Sequence, residues 1–526
     1  MPRLTGAQIL IQTLEEHGVE NIFGYPGASV LSVYDALPAS SIRHILTAHE
    51  QGACFAAEGY ARASGKVGVV LTTSGPGATN LITGIADAYM DSIPLVAITG
   101  NVKLNQLGHD SFQEVDIFDM AMPVTKYSII VKSANDIAPA IRKAFRIAES
   151  GRKGPVLVDI PSDVFDYTAE YTKQTPEKYC FPSPDETQLE QAISLIERAQ
   201  RPIVYIGGGV RSSGASKEVG EFAKRIGAKV TASYMGIGCF DPDDTDWLGV
   251  LSNENAVSSQ AIRECDLFIT LGARFNSRYT AFGNLKKRKI PLLQIDCDKA
   301  EIDKNILTTA YVEGDVKTVL SALTPRLSQK VVSLWTYYDY LGTETKPNRG
   351  IEIIKALCDK LGDSVTVCTD VGLHQVWTAH NYKFRSPDKF LTSGGLGAMG
   401  FSVGAAIGAH FATGGKGLVI TGDGSFNMNF NELTTAVKHH IPLIIAVMNN
   451  NSLGMIRKLQ LERGNRQTPS SSLYLATDYV KLAQALGARG VRIGENDDIS
   501  AKLDEALSGS LPVVIDCALS INEGIN

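Results

Sequence analysis

At 526 residues, 44% hydrophobic and 20% charged, the chain has globular composition and exceeds what one hydrophobic core organises, so three domains are expected. A formal net charge of -6 without a block of like charges leaves no electrostatic footprint for nucleic acid or an anionic membrane, and no apolar run approaches bilayer length. Eight cysteines without a C-x-x-C pair suggest neither a zinc site nor a disulfide framework, and most read as buried thiols.

The N-terminal stretch MPRLTGAQILIQTLEEHGVE reads as an amphipathic helix opened by Thr5 and Gly6, without the apolar core and cleavage site of a signal peptide. A cytoplasmic enzyme fits. Short apolar runs then alternate with helical patterns: IRHILTA, GVVLTTSG, IPLVAITG and GPVLVDIP, then RPIVYIGGG, DLFITLGAR and PLLQIDCD, then SVTVCTDVG, KGLVITGDG, IPLIIAVMNN and LPVVIDC. Continuous apolar strands separated by helices describe parallel sheets covered on both faces, so the class is α/β with doubly wound parallel sheets. Polar, Pro-bearing stretches near 173–188 and 344–350 read as linkers. They predict domains at 1–172, 189–335 and 348–526.

The outer thirds carry a faint internal repeat. GVVLTTSGPGATNLITGIADAYMDSIPLVAITG resembles GLVITGDGSFNMNFNELTTAVKHHIPLIIAVMNN in its order of strand, Gly-rich turn, helix, proline and second strand. Ligands of such sheets sit beyond the carboxyl ends of the strands, where both Gly-rich turns fall.

In the second of these segments Asp423 follows a buried strand and Asn450 ends the next. Neighbouring parallel strands bring such ends together, so a carboxylate and an amide oxygen can share a hard cation. Mg²⁺ typically binds through few protein oxygens plus phosphate, which makes a diphosphate the expected third party. Gly422 and Gly424 let the backbone approach phosphate oxygens, and a helix expected to begin near Asn427 directs its N-terminal amides toward them. In the first third, His49-Glu50-Gln51-Gly52-Ala53 follows the strand IRHILTA and opens a helix rich in small residues. A glutamate there could also simply serve the first helical turn electrostatically.

Taken together, Glu50, the Ser74-Gly75-Pro76-Gly77 turn, the Gly395–Gly400 stretch GLGAMG, and Gly422-Asp423-Gly424 with Asn450 resemble the thiamine-diphosphate decarboxylase and carboligase superfamily. Within it the chain is similar to acetolactate synthase catalytic subunits, through FGYPGASVLSVYDAL, DSFQEVDIF, GPVLVDIPSDV, LGARFNSR, TDVGLHQVW, FLTSGGLGAMGF and NSLGMIRK. The resemblance implies pyrimidine-binding, central and diphosphate-binding domains. It also implies a coenzyme held between the first domain of one subunit and the third of another, hence a homodimer or homotetramer, with a regulatory subunit possible. It assigns Mg²⁺ to Asp423, Asn450 and the Ser452 carbonyl. The coenzyme falls to Gly27, Glu50, Pro76, Asn80, Val371, Gly372, Leu373, His374, Gly397, Met399, Gly422, Asp423, Gly424, Ser425, Asn450, Ser452, Leu453, Gly454 and Met455.

Glu50 would hydrogen-bond the pyrimidine nitrogen, and Met455 would bend the coenzyme so that its own imine acts as base. Phe112, Gln113 and Arg278 would meet the 2-keto acid substrates, Arg278 through the carboxylate of the second. Met399 and Met455 also suit ordinary cores, Gln113 a surface turn and Arg278 a surface site.

Departures from the acetolactate synthase pattern cluster where substrate and flavin would sit. Leu459, Ser162 and Leu373 replace a tryptophan, a lysine and a glutamine, which leaves the acceptor open. Gly249–Asn255 stands where a Met-x-Gly-x-His-Gly stretch is usual, which counts against FAD, although Gly272-Ala273-Arg274-Phe275 survives. Asn276-Ser277 replaces two aspartates beside Arg278, Ala28-Ser29 alters the pair near the thiazolium, and the chain stops at INEGIN. The expected activity is decarboxylation of pyruvate with transfer of the two-carbon unit to a second carbonyl. A related lyase, decarboxylase or acyl-group transferase without FAD is the alternative, and a cofactor-free paralogue a remoter one.

Overall fold

Helix α1 (Gly6–Glu16) starts as its sequence asks. Thr5 Oγ1 accepts from the Gln8 amide and Gln8 Oε1 from the Thr5 amide, at 3.3 and 3.0 Å, so two orphan donors are satisfied reciprocally. The computed structural model describes residues 2–252, 256–275, 281–329, 335, 348–464, 469–473, 477–510 and 512–524. They form two compact units, one of Met1–Tyr179, Ser364–Gln375 and Leu391–Asn526, the other of Cys180–Asp363 and Val376–Phe390.

The first unit holds two six-stranded sheets. One comprises β1 (Asn21–Tyr25), β2 (Arg43–Leu46), β3 (Gly68–Thr72), β4 (Leu95–Asn101), β5 (Tyr127–Ile130) and β6 (Pro155–Pro161), in the order β2-β1-β3-β4-β6-β5. The second unit carries β7 (Pro202–Ile206), β8 (Lys229–Ala232), β9 (Trp247–Val250), β10 (Leu267–Leu271), β11 (Leu292–Asp296) and β12 (Ala310–Glu313), in the order β9-β8-β7-β10-β11-β12. This is the doubly wound order of dinucleotide-binding folds, with its switch point between β7 and β10. The other sheet of the first unit comprises β13 (Val365–Thr369), β14 (Phe390–Thr392), β15 (Lys416–Gly422), β16 (Leu443–Asn449), β17 (Arg489–Ile493) and β18 (Val513–Ala518), in the order β14-β13-β15-β16-β18-β17. Pairing is parallel through the first two sheets and along β13-β15-β16-β18-β17 of the third. β3, β4, β15 and β16 are buried almost throughout, which explains their unbroken apolar runs.

The outer sheets share one strand order, so the internal repeat is a repeat of topology. They meet through helices α2 (Glu50–Ser64) and α4 (Phe401–Thr413). A Cβ on Gly408 would stand 1.8 Å from the Ala56 carbonyl oxygen, and one on Gly59 2.0 Å from that of Ala405. The two helices therefore touch backbone to backbone, and their small residues are the condition of that approach. Phe55 and Phe401 pack edge-on at 5.4 Å beside the contact.

A buried polar cluster lies next to it. From α3 (Ile82–Asp91), Asp91 accepts from the amides of Gly394 and Gly395 at 2.9 and 2.7 Å. Ser393 Oγ donates to Asp87 and accepts from the amides of Gly397 and Ala398. Arg62 Nη1 donates to the Thr392 carbonyl at 2.6 Å. Glu58, without exposure, is pushed well above the usual carboxylate range by burial and by Asp87, and Asp87 is itself pushed up to about 8, mainly by burial. Carboxyls of the first sheet's helices thus hold the glycine loop that leads to Gly397 and Met399. Five of the eight cysteines are buried, Cys297 and Cys358 are partly so, and Cys180 is exposed. No described helix is long and apolar enough to cross a membrane.

Candidate active site

β15 and β16 pair in parallel with Gly422 opposite Met448, so Asp423 and Asn450 step off adjacent strand ends as their spacing predicts. Gly422 is extended (φ -92°, ψ 162°), and α5 (Asp423–Asn429) begins at Asp423 itself, four residues before the expected start near Asn427. An acid in a helix's first turn meets the positive end of the peptide dipoles, which offsets the poor helix propensity of the following glycine. Asp423 is 2% exposed. Its Oδ1 accepts from the Gly424 amide at 2.8 Å, while Oδ2 is buried without a hydrogen-bond partner among the described residues. Burial pushes its pKa up to about 6 against the pull of backbone amides at Gly424, Asn451 and Ser452.

Asn450 Oδ1 accepts from the Ser452 amide at 3.1 Å. Asn451 between them has φ +52°, one of the few non-glycine conformations asparagine tolerates. The Leu453 amide and Ser452 Oγ donate to the Ser471 carbonyl, and the Leu473 amide to that of Asn451, which pins this loop before α6 (Gly454–Glu462). Of the three consecutive asparagines, Asn449 turns the other way and donates to Asp516 at 2.9 Å.

The remaining C-terminal candidates gather around these two. A Cβ on Gly372 or on Gly422 would lie 2.7 or 3.1 Å from the His374 ring, so that imidazole fills the space between the two glycines. It is deeply buried, which lowers its pKa to about 4 and keeps it neutral at physiological pH. Leu373 reaches Gly454, Met399 and Leu453 reach Gly424, and Val371 stands opposite Gly397. Gly397 has φ +79°, which a side chain resists. Ser425 is buried in α5, and Met399 and Met455 are partly exposed.

The N-terminal candidates form a second group on the first sheet. Glu50 is the first residue of α2, capped by His49, whose Nδ1 accepts from the Gln51 amide at 3.0 Å. Asn80 Nδ2 donates to Glu50 Oε2 at 2.9 Å, and Gly77 lies beside Oε1. Gly75 (φ +59°) opens the turn Pro76–Thr79, and a Cβ there would strike the Gln113 carbonyl at 2.8 Å. Gln113 is itself at φ +62°. Gly27 packs on Thr73, and Ser29 Oγ bridges Thr73 and the Ser74 amide. Phe112 is 88% exposed. Among the described residues no hydrogen bond joins the Glu50 group to the Asp423 group. Arg278, with Asn276 and Ser277, lies outside the described residues.

Two features escaped sequence reasoning. Glu432, without exposure, accepts from the amides of Ala48 and His49 beside Glu50. Asp370 accepts from Ser402 and Thr421 behind the glycine loop. A cavity of about 440 Å³ in the second unit, lined by Trp247, Leu248, His380 and Tyr382 among others, includes none of the candidate residues.

Residues 4–120 match the thiamine pyrophosphate enzyme N-terminal TPP binding domain, 189–323 the central domain and 370–517 the C-terminal TPP binding domain. The chain is 39% identical to a probable acetolactate synthase large subunit of Methanocaldococcus jannaschii, over 99% of this chain and 93% of that protein. It is 38% identical to the acetolactate synthase large subunit of Haemophilus influenzae, over 97% and 93%. With the acetolactate synthase isozyme 2 large subunit of Escherichia coli it shares 37% identity over 99% and 97%. With the domain order, the glycine-flanked Asp423 and this near full-length likeness in agreement, the chain belongs to the acetolactate synthase large-subunit family of thiamine pyrophosphate enzymes.

Proposed function

We propose that the protein is a thiamine-diphosphate- and Mg²⁺-dependent carboligase that decarboxylates pyruvate and joins the two-carbon unit to a second 2-keto acid. The observation that carries this is Asp423. A buried carboxylate oxygen without a partner among the described residues, at the end of one parallel strand and beside the loop of the next, is a costly group unless a cation completes it. The donor set fits Mg²⁺: one carboxylate, the Asn450 amide and the Ser452 carbonyl leave the remaining positions to phosphate and water. Among the described residues no cluster of three or more His, Cys, Asp or Glu offers a rival metal site. The first-turn amides of α5, with Gly422 and Gly424, suit a diphosphate.

When bound, the coenzyme supplies a carbon nucleophile and an electron sink for decarboxylation. Glu50 would exchange a proton with the pyrimidine nitrogen, its carboxylate oriented by the hydrogen bond from Asn80. Neutral His374 presents a ring nitrogen without adding charge beside the metal. Val371, Leu373, Leu453, Met399 and Met455 would supply the apolar lining that keeps water from the reacting carbon. Gln113, Phe112 and Arg278 position the keto acids. The reaction moves no net electrons, so it places no demand on a flavin in the central domain.

The assembly we propose is a cytoplasmic homodimer or homotetramer of three-domain subunits (1–172, 189–335, 348–526), in which Glu50 of one subunit serves the coenzyme held by another. Relatives named large subunits support a small regulatory partner. The test is incubation with pyruvate alone, read by mass spectrometry. Acetolactate is the expected product; acetaldehyde or no turnover would replace the reading with a decarboxylase, lyase or acyl-group transferase on another substrate. Leu459, 44% exposed on α6 where a tryptophan is usual, leaves the acceptor open.

A further inference from the structure

Glu432 ends the short turn Phe430–Glu432 that directly follows α5. Its Oε1 accepts from the Ala48 and His49 amides at 3.1 and 2.9 Å, and its Oε2 from the Ala48 amide at 3.2 Å and from Thr435 Oγ1 at 2.8 Å. The side chain has no exposure. The two amides it holds belong to the residues immediately before Glu50, and the carboxylate sits at the positive end of the 15-residue helix that Glu50 opens. Thr47 Oγ1 donates to the His49 carbonyl at 3.1 Å, so the backbone on both sides of this peptide is held. Gly52 completes the arrangement, because a Cβ there would stand 2.1 Å from Glu432 Oε1.

We propose that Glu432 is a positioning residue for Glu50, its carboxylate setting the direction in which the first residue of α2 leaves the loop. The proposal rests on the reading that Glu50 acts on the coenzyme. Capping alone does not call for Glu432, since His49 already caps the helix and an apolar residue would fill the same space without a buried charge. What Glu432 adds is an anchor from the other sheet. The chain that begins with Asp423 at the strand end runs through α5 and finishes on the amides beside Glu50, so the orientation of the acid is referenced to the cation-binding segment of the same polypeptide. A misplacement of about 1 Å in such a group costs up to about a hundredfold in rate.

The test uses the full-length protein loaded with thiamine diphosphate and Mg²⁺, and compares wild type, E432Q, G52A, E50Q and E432Q/E50Q. E432Q keeps the volume but turns an amide donor toward the backbone amides. G52A displaces the Glu432 carboxylate without altering it, and serves where E432Q does not fold. The readouts are hydrogen–deuterium exchange at the coenzyme's C2 carbon, coenzyme affinity by calorimetry and the thermal midpoint. Expected are C2 exchange and kcat lowered about tenfold or more in E432Q and G52A with affinity and KM within about twofold of wild type, and a double variant no slower than E50Q alone, because the two residues act as one unit. Wild-type exchange in E432Q and G52A, or a full additional loss in the double variant, overturns the role of Glu432. An E50Q protein that exchanges like wild type sinks the underlying reading instead.

Discussion

The two outer sheets have the same strand order, yet each leaves its carboxylate at a different strand end and in a different state. In the first sheet the acid follows the second strand, at Glu50, and the third strand runs into Ser74-Gly75-Pro76. In the other, the second strand runs into the Ser393–Gly400 glycine loop and the acid follows the third, at Asp423. Glu50 is partly exposed and already hydrogen-bonded by Asn80; Asp423 is buried, with one oxygen unpartnered among the described residues. A duplicated scaffold can thus supply one acid suited to proton exchange and another suited to a cation. The strand ends provide the position, and the surrounding amides and burial decide the chemistry.

That division of labour can be broken most sharply at Glu50. E50Q should lower turnover on pyruvate by about 10²–10⁴-fold while leaving coenzyme affinity nearly unchanged in calorimetry; a large loss of affinity would mean that Glu50 serves mainly to bind the coenzyme. Next in size is D423N. At about 100 times Kd, coenzyme with Mg²⁺ should stabilise the wild type by about 2.7 kcal/mol, seen as a rise in melting midpoint, and the variant should show no such rise.

The packing that joins the two sheets is tested by G408A. The added methyl meets the Ala56 carbonyl at 1.8 Å, and the overpacking should cost about 1–3 kcal/mol, more than the roughly 1 kcal/mol of helix propensity gained. Urea denaturation would show a lower midpoint, and an unchanged one would mean that the helices separate freely.

The last effect concerns the carboxyl cluster. Asp87 is raised from 3.8 to about 8, so the folded protein keeps a proton that the unfolded chain releases. Its contribution to stability is therefore full below about pH 4 and is lost as pH rises to about 8. D87N removes one such proton, so its midpoint should improve relative to wild type across that window. A gap that does not change with pH would place Asp87 among ordinary ionised carboxylates.

Much of this was legible beforehand for local reasons. Unbroken apolar runs mark buried parallel strands, and the distance from Asp423 to Asn450 holds a helical connection and one strand, so neighbouring strand ends follow from spacing. The spacing places the start of α5 near Asn427 because Gly424 reads as a helix breaker, whereas the acid at position 423 and the extended Gly422 favour immediate entry into the helix. Glu432 was invisible, since its partners stand 383 and 384 positions away and a lone glutamate in NELTT has no pattern of its own. Gly52 looked like any small helical residue until the carboxylate beside it was located.

The sequence by itself determined the strands, the glycine turns and the acids that follow them, because hydrophobic period, backbone freedom and side-chain chemistry are properties of a few adjacent residues. Only the tertiary structure decided which acid is buried and unpartnered, which carboxyls hold their protons, and which distant glutamate steadies the start of α2. Those outcomes depend on desolvation and on contacts between segments hundreds of residues apart, and neither is encoded in any one stretch of chain.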